Sequence, residues 1–275
     1  HVLCEKPVAH DYRNTWKAHR LAESKGLKTK VGFTFRYAPA MMYMMELIEE
    51  GFIGEPYIFN GFEQNSQFLS PDEPVTKRDL IPPTGKTDIK VSSLEGYGAP
   101  IIDLSLWFMG STLTSVVGLL KNFVPFRTDY DGSRVRTNID DGDIYIGEYK
   151  NGAMCSIQSS YVTVGNYPGL EARAYGSEGA LICRLVDEFG VRQTLHKATP
   201  DAVEFVPVEI PERLFPPEHV PGEPWPSLFY CNLVHNFNQE ITSGGDENQG
   251  NFAQSAVVQE IINAVELSHR ESRWV

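Results

Sequence analysis

Glu5-Lys6-Pro7 closes a short apolar run, Val2-Leu3-Cys4, and that order of residue types has chemical content. Val-Leu-Cys reads as a buried strand, and a proline directly after it ends the ladder because it has no N–H to donate. Glu5 and Lys6 are then delivered to a strand's carboxyl end, where open α/β sheets bind ligands. From there an ammonium can polarise a substrate hydroxyl or carbonyl, or pass a proton with its pKa lowered by burial. The plainer alternative is a surface ion pair beside a loop, which is weak.

Asp103 is the sharper signal. Between Ala99 and Gly110 it is the only ionisable residue, in a segment dominated by Ile, Leu, Trp, Phe and Met. A lone buried carboxylate is costly unless paired. It therefore faces a ligand cleft, with Lys6 as the natural partner, or lies on a narrow exposed stripe with Ser105, or caps a neighbouring loop. Arg36 and Tyr37, just past a second strand, stand at the same ligand-bearing edge. Other groups carry less. Gly96-Tyr97-Gly98 lacks the preceding strand and third glycine of a dinucleotide turn. Asp140-Asp141-Gly142-Asp143 lacks calcium-loop spacing and reads as a solvated turn. His235 reads as a structural histidine, and no G-x-S-x-G nucleophile motif occurs.

The elements that must position these groups follow from periodicity. A helix over 11–25, with Tyr12, Trp16, His19, Leu21 and Ala22 in phase, is followed by a strand over 27–37, giving a βαβ unit and a parallel sheet. A Met-rich helix spans 39–50, its methionines read as core filler. After a strand at 55–63 comes a polar, proline-bearing stretch, 65–91, too long for an ordinary connection. Pro100 suits the first turn of the next helix. Strands then dominate, including a hairpin over 143–161 turned by Asn151-Gly152, before helices at 228–242 and 252–268 close the chain.

Bulk composition limits the function classes. The 275 residues are 41% hydrophobic and 22% charged, with a net charge of −12. That balance argues against a nucleic-acid or anionic-membrane surface. No apolar run approaches a membrane span, and residues 1–10 lack a signal-peptide layout, so a cytoplasmic protein is expected. The four cysteines form no CxxC pair and read as small core hydrophobes in a reducing compartment. The seven histidines show no metal-ligand spacing, so no metal is expected.

Seven motifs in order carry a resemblance: HVLCEKP at 1–7, VGFTFRYAP at 31–39, IEEGFIGEP at 48–56, IIDLSLWFMG at 101–110, DGDIYIGEYKNGAMCSIQSS at 141–160, YGSEGAL at 175–181 and the closing segment 251–275. With them the chain resembles the glucose–fructose oxidoreductase / inositol dehydrogenase / MocA (Gfo/Idh/MocA) family of NAD(P)-dependent oxidoreductases. The resemblance implies an α/β remnant plus α+β architecture: the tail of a Rossmann fold at 1–37, then a substrate-binding and oligomerisation domain at 38–275. The second part is a large, mostly antiparallel sheet covered by helices on one face. It also implies that the GxGxxG turn is missing from these residues, so the chain alone is expected to bind NAD or NADP poorly and to be inactive by itself.

Carried over by residue, Lys6 matches the family's EKP lysine, which assists proton transfer, with Glu5 and Pro7 in the same cofactor-side motif. Arg36 falls where a residue near the nicotinamide is common, and Tyr37 and Tyr97 fall on the substrate side. Asp103 matches the aspartate of the family's H-x-x-D, but Pro100 stands where the histidine belongs and Gly96 where an acid precedes it. Lys6 and Asp103 are then expected to share the proton transfer, with Tyr97 as a possible donor. The implied substrate is a sugar, polyol or related hydroxy compound, and the implied assembly is a homodimer or homotetramer through the open sheet face. Two alternatives remain: a non-catalytic sugar-binding or oligomerisation module, and a nicotinamide enzyme with no net redox change.

Overall fold

Pro7 ends β1 (Val2–Cys4), and Asp11 opens α1 (Tyr12–Ser24) by accepting the Arg13 amide at 2.8 Å. Gly26, at φ 62°, closes that helix, and β2 (Thr29–Val31) returns parallel to β1 with Leu3 opposite Lys30. This is the βαβ unit the pattern calls for. The computed structural model describes residues 1–66, 68–72, 92–128, 132–164, 169–186, 192–217, 225–244 and 250–275.

β2 is far shorter than the expected strand over 27–37. After Val31 the chain turns, the Phe33 amide donating to the Val31 carbonyl at 2.7 Å, and Thr34–Tyr37 forms a 3-10 turn. The alternation of Val31, Phe33 and Phe35 imitates a strand, but Arg36 has a buried partner elsewhere that an extended chain would miss. Val2 and Leu3 are exposed rather than buried, because two strands bury little surface. In α1 the buried residues are Thr15 and Ala22, and Leu21 is exposed.

α2 (Pro39–Glu49) buries Met41 and Met44 completely, as core filler should. It leads into β3 (Pro56–Gln64). A single π-helical turn, Leu94–Gly98, runs straight into α3 (Ala99–Met109), with Pro100 in the first turn and Gly110 closing it at φ 58°. There follow β4 (Leu113–Lys121), the small ribbon β5 (Phe126–Thr128) and β6 (Arg134–Arg136), then β7 (Gly142–Tyr149), β8 (Met154–Ser160), β9 (Gly169–Gly176), β10 (Ala180–Val186), β11 (Arg192–Ala198) and β12 (Val206–Val208). α4 (Trp225–Ser243) and α5 (Phe252–Glu271) complete the chain. The expected long stretch at 65–91 falls mostly outside the described residues.

β12-β11-β10-β9-β3-β8-β7-β4 make one sheet, with every pairing antiparallel except β3 with β8. Helices cover one face closely. A Cβ on Gly61 would come within 2.5 Å of Ile101 in α3, and one on Gly118 within 2.7 Å of Val265 in α5. Side chains alternate across the sheet, so the opposite face presents Leu119, Ile144, Ile146 and Met154 exposed. Two further readings need correction. Asp141 and Asp143 are buried, because Asp141 accepts the amides of Phe123 and Val124 and hydrogen-bonds Arg127. Cys155 and Cys183 are core residues as expected, but Cys231 is exposed on α4.

Candidate active site

Lys6 leaves the end of β1 and its ammonium donates to the carbonyl of Gly96 in the π-helical turn. Glu5, by contrast, is exposed, and its carboxylate lies over Gly32 so closely that a Cβ there would sit 2.8 Å from it. The Lys6–Pro7 peptide bond is cis.

The chain after Pro7 is fastened to the same turn. His10 Nδ1 lies 2.7 and 2.8 Å from the two oxygens of buried Glu95, and Gln259 of α5 donates to Glu95 at 3.2 Å and to the His10 carbonyl at 2.9 Å. The hydrogen bond to Glu95 raises the pKa of His10, burial opposes it, and the charges of Glu95 and Glu266 raise it further. A histidine with a higher pKa folded than unfolded stabilises fully below its ordinary value of 6.5 and loses that contribution as pH rises through the folded value. His10→Gln should therefore melt below wild type in mildly acidic buffer, the gap closing as the pH is raised. Thermal melts across a pH series check it, and a gap that widened with pH would contradict it.

Beneath the turn lies a row of polar side chains crossing three strands. Glu63 of β3 is opposite Ser159 of β8, which is opposite Asp143 of β7. All three are buried. Ser159 Oγ donates to Asp143, and Ser93 Oγ lies 3.0 Å from Ser159 Oγ. Burial pushes Asp143 up to about 8, helped by the charge of Asp140 and resisted by the Ser159 and Ser93 hydrogen bonds. Asp140 itself is raised to about 6 by burial, although its carboxylate accepts the Leu94 amide at 3.0 Å. Tyr97, half-buried, meets Tyr161 edge-on at 4.6 Å, and Phe68 meets Tyr161 at 4.8 Å, so aromatic rings flank the turn.

Asp103 is not paired with Lys6. It takes a bidentate ion pair from Arg36, Nε to Oδ2 at 2.5 Å and Nη2 to Oδ1 at 2.9 Å, with the guanidinium 4.7 Å over the Trp107 ring. Both partners are almost wholly buried. Burial pushes the Asp103 pKa up and the Arg36 charge and hydrogen bond offset part of that. Tyr37 is likewise completely buried, and its carbonyl accepts from Asn232 at 3.0 Å.

Of the residues singled out from sequence, Lys6 and Tyr97 meet at the π-helical turn, while Arg36, Asp103 and Tyr37 belong to the packed interior behind it. Glu63, Ser159, Asp143 and the His10–Glu95 pair were missed. Glu63 had a signal: along β3 it shares parity with inward Phe59 and Gly61, and an acid at an inward strand position needs a reason. Among the described residues, no His, Cys, Asp and Glu side chains group as a metal site requires, and no helix is long and apolar enough to cross a membrane.

Comparison with known proteins adds three findings. Residues 41–182 match the family model described as the GFO/IDH/MocA C-terminal domain. Levoglucosan dehydrogenase of Pseudarthrobacter phenanthrenivorans is 22% identical over 297 residues, covering all of this chain and 73% of that protein. Glucose-fructose oxidoreductase domain-containing protein 2 of Mus musculus is 26% identical over 293 residues, covering 99% of this chain and 70% of its own length. Among solved structures, levoglucosan dehydrogenase in complex with NADH and L-sorbose superposes with a TM-score of 0.84 at 22% identity, over all of this chain and 72% of that one, which establishes a shared fold.

Proposed function

This chain belongs to the GFO/IDH/MocA family of oxidoreductases, and on that premise we propose that it forms the catalytic and substrate-binding part of an NAD(P)-dependent dehydrogenase of a sugar, polyol or related hydroxy compound. The observation that carries this reading is the Lys6 ammonium at the carboxyl end of a parallel strand, held against Gly96 beside Tyr97. A cation there can orient a hydroxyl and stabilise the alkoxide as its proton leaves. The NADH complexes of levoglucosan dehydrogenase, with L-sorbose and with levoglucosan, support a nicotinamide cofactor and a sugar-like ligand.

The residues present suit one end of that cofactor. Lys6 and the Glu5–Gly32 contact lie at the strand ends that border a ligand crevice in such sheets, and they would meet the nicotinamide side. No GxGxxG occurs in the sequence, so no residue here is assigned to the pyrophosphate. When bound, the nicotinamide would accept the hydride. Lys6 would hold or move the hydroxyl proton, Tyr97 would line the substrate side, and the Arg36–Asp103 pair would fix α3 behind the turn. We assign residues 1–37 to a nucleotide-binding sheet and 38–275 to the substrate domain. The open sheet face, with Leu119, Ile144, Ile146 and Met154 exposed, suits a homodimer or homotetramer, and a monomer mass by light scattering would count against it.

The test is ligand-observed NMR of the 275-residue chain with levoglucosan, L-sorbose, inositols and aldoses, alongside turnover of the same panel with NAD+ and NADP+. Binding of at least one sugar or polyol, weakened by Lys6→Met, is the expected result. No binding across the panel would remove the reading. Pro100 and Gly96 favour a second reading, a sugar-binding module without chemistry. Binding without turnover in a polypeptide that demonstrably holds NADH would favour that one.

A further inference from the structure

Proline at position 100 and glycine at 96 supply no proton-carrying side chain, yet the site contains a buried carboxyl group that no motif assigns. We propose that Glu63 is the proton reservoir of this site, exchanging a proton with Lys6 so that the lysine can take up and return the proton of a substrate hydroxyl. This rests on the dehydrogenase reading and specifies how its proton moves.

Three observations carry it. Glu63 points to the helix-covered face of β3, two residues beyond Gly61, which packs under α3. It is only 6% exposed, and its Oε2 has no hydrogen-bond partner among the described residues. A buried polar oxygen left unmatched is costly, so this one is poised for a proton or a ligand. Finally, the Lys6 ammonium is fixed to the Gly96 carbonyl in the π-helical turn, and that turn lies directly over the row, a Cβ on Gly98 meeting Ser159 Oγ, the cross-strand neighbour of Glu63, at 3.5 Å.

The electrostatics agree. Burial raises the Glu63 pKa well above its ordinary value, the Lys6 charge pulls it down and Asp143 pushes it up. Around this pair, β8 contributes only the Ser159 hydroxyl in the same row, and Ser93 lies behind that. The π-helical turn brings Glu95, which is already engaged by His10 and Gln259, and Asp140 acts on Asp143.

The step balances with the oxidised nicotinamide of the dehydrogenase reading as its hydride acceptor. Lys6 gives an ammonium proton to the Glu63 carboxylate and, as the neutral amine, accepts the proton of the substrate hydroxyl. A bound oxidised nicotinamide would supply the hydride acceptor, so that the O–H electron pair could close the C=O bond as the C–H pair left. On the protein side the net change would be one proton moved from the substrate hydroxyl, through Lys6, to Glu63. Reduction runs the same path backwards.

Isotope-edited infrared titration of the 275-residue chain tests the reservoir without cofactor or substrate. The Glu63 carboxyl band, told apart from that of Asp143 by its loss in Glu63→Gln, should titrate with both protonated and ionised forms present near neutral pH, and shift its midpoint upward in Lys6→Met as the opposing positive charge is removed. Glu63→Asp serves if the amide variant does not fold, and it should keep the band with a displaced midpoint. A Glu63 that is ionised from mildly acidic to mildly alkaline pH, or whose midpoint ignores Lys6, overturns the proposal. In a polypeptide that turns over NAD(P)+, Glu63→Gln should lower kcat by about 10²-fold with KM little changed and remove one limb of the pH profile. Wild-type kcat and pH profile in Glu63→Gln also overturn it. Absence of wild-type turnover would instead remove the dehydrogenase reading, leaving the infrared midpoints to decide the Lys6–Glu63 exchange.

Discussion

Arg36→Met is expected to destabilise the protein by about 3–5 kcal/mol, because it leaves the Asp103 carboxylate buried with its ion-pair partner gone. The pair joins the 3-10 turn after β2 to α3, with both side chains nearly inaccessible and the guanidinium stacked on Trp107. Removing the cation takes away two charge-assisted hydrogen bonds and the group that offsets the desolvation of Asp103. The carboxyl can escape part of the cost by taking up a proton, so the loss should shrink as pH falls. Denaturant midpoints across a pH series measure this. Converting both partners, Arg36→Met with Asp103→Leu, should recover most of the stability, since two well-packed apolar groups leave no charge behind. A single variant that loses less than about 1 kcal/mol, in the range of surface pairs, would contradict the buried pair.

Lys6→Met carries the largest expected effect on chemistry. In a polypeptide holding these residues together with a nucleotide-binding sheet, turnover of the preferred sugar or polyol should fall by about 10²–10⁴-fold, the span typical of a positioned acid/base group. The fall should lie mainly in kcat, because the proton transfer is lost while the aromatic flank at Tyr97 and Tyr161 still meets the ligand. Lys6→Arg keeps the charge but cannot deprotonate. It should recover the small part of binding that Lys6→Met loses without restoring rate, which separates an electrostatic role from proton transfer. Equal rates in Lys6→Arg and wild type would confine Lys6 to electrostatics and count against proton exchange with Glu63. An unchanged rate in Lys6→Met would remove Lys6 from the mechanism altogether.

Elements whose cause is local are legible in residue order alone. The Asn151-Gly152 hairpin, the proline that ends β1 and the Met stripe of α2 each act through neighbouring residues, and each stands where the pattern put it. The seven motifs likewise identified the family, because motif order survives when overall identity is low. Which charges meet is a matter of long-range packing. Nothing local marks Arg36 as the partner of Asp103, 67 positions away, or ties Lys6 to the carbonyl of Gly96, 90 positions away. Glu63, Ser159 and Asp143 look unrelated in the chain and become neighbours only through the parallel pairing of β3 with β8 and the register of β8 with β7. Pair identity depends on sheet order and register, which are long-range choices, and a buried charge is settled by whichever partner those choices bring within reach.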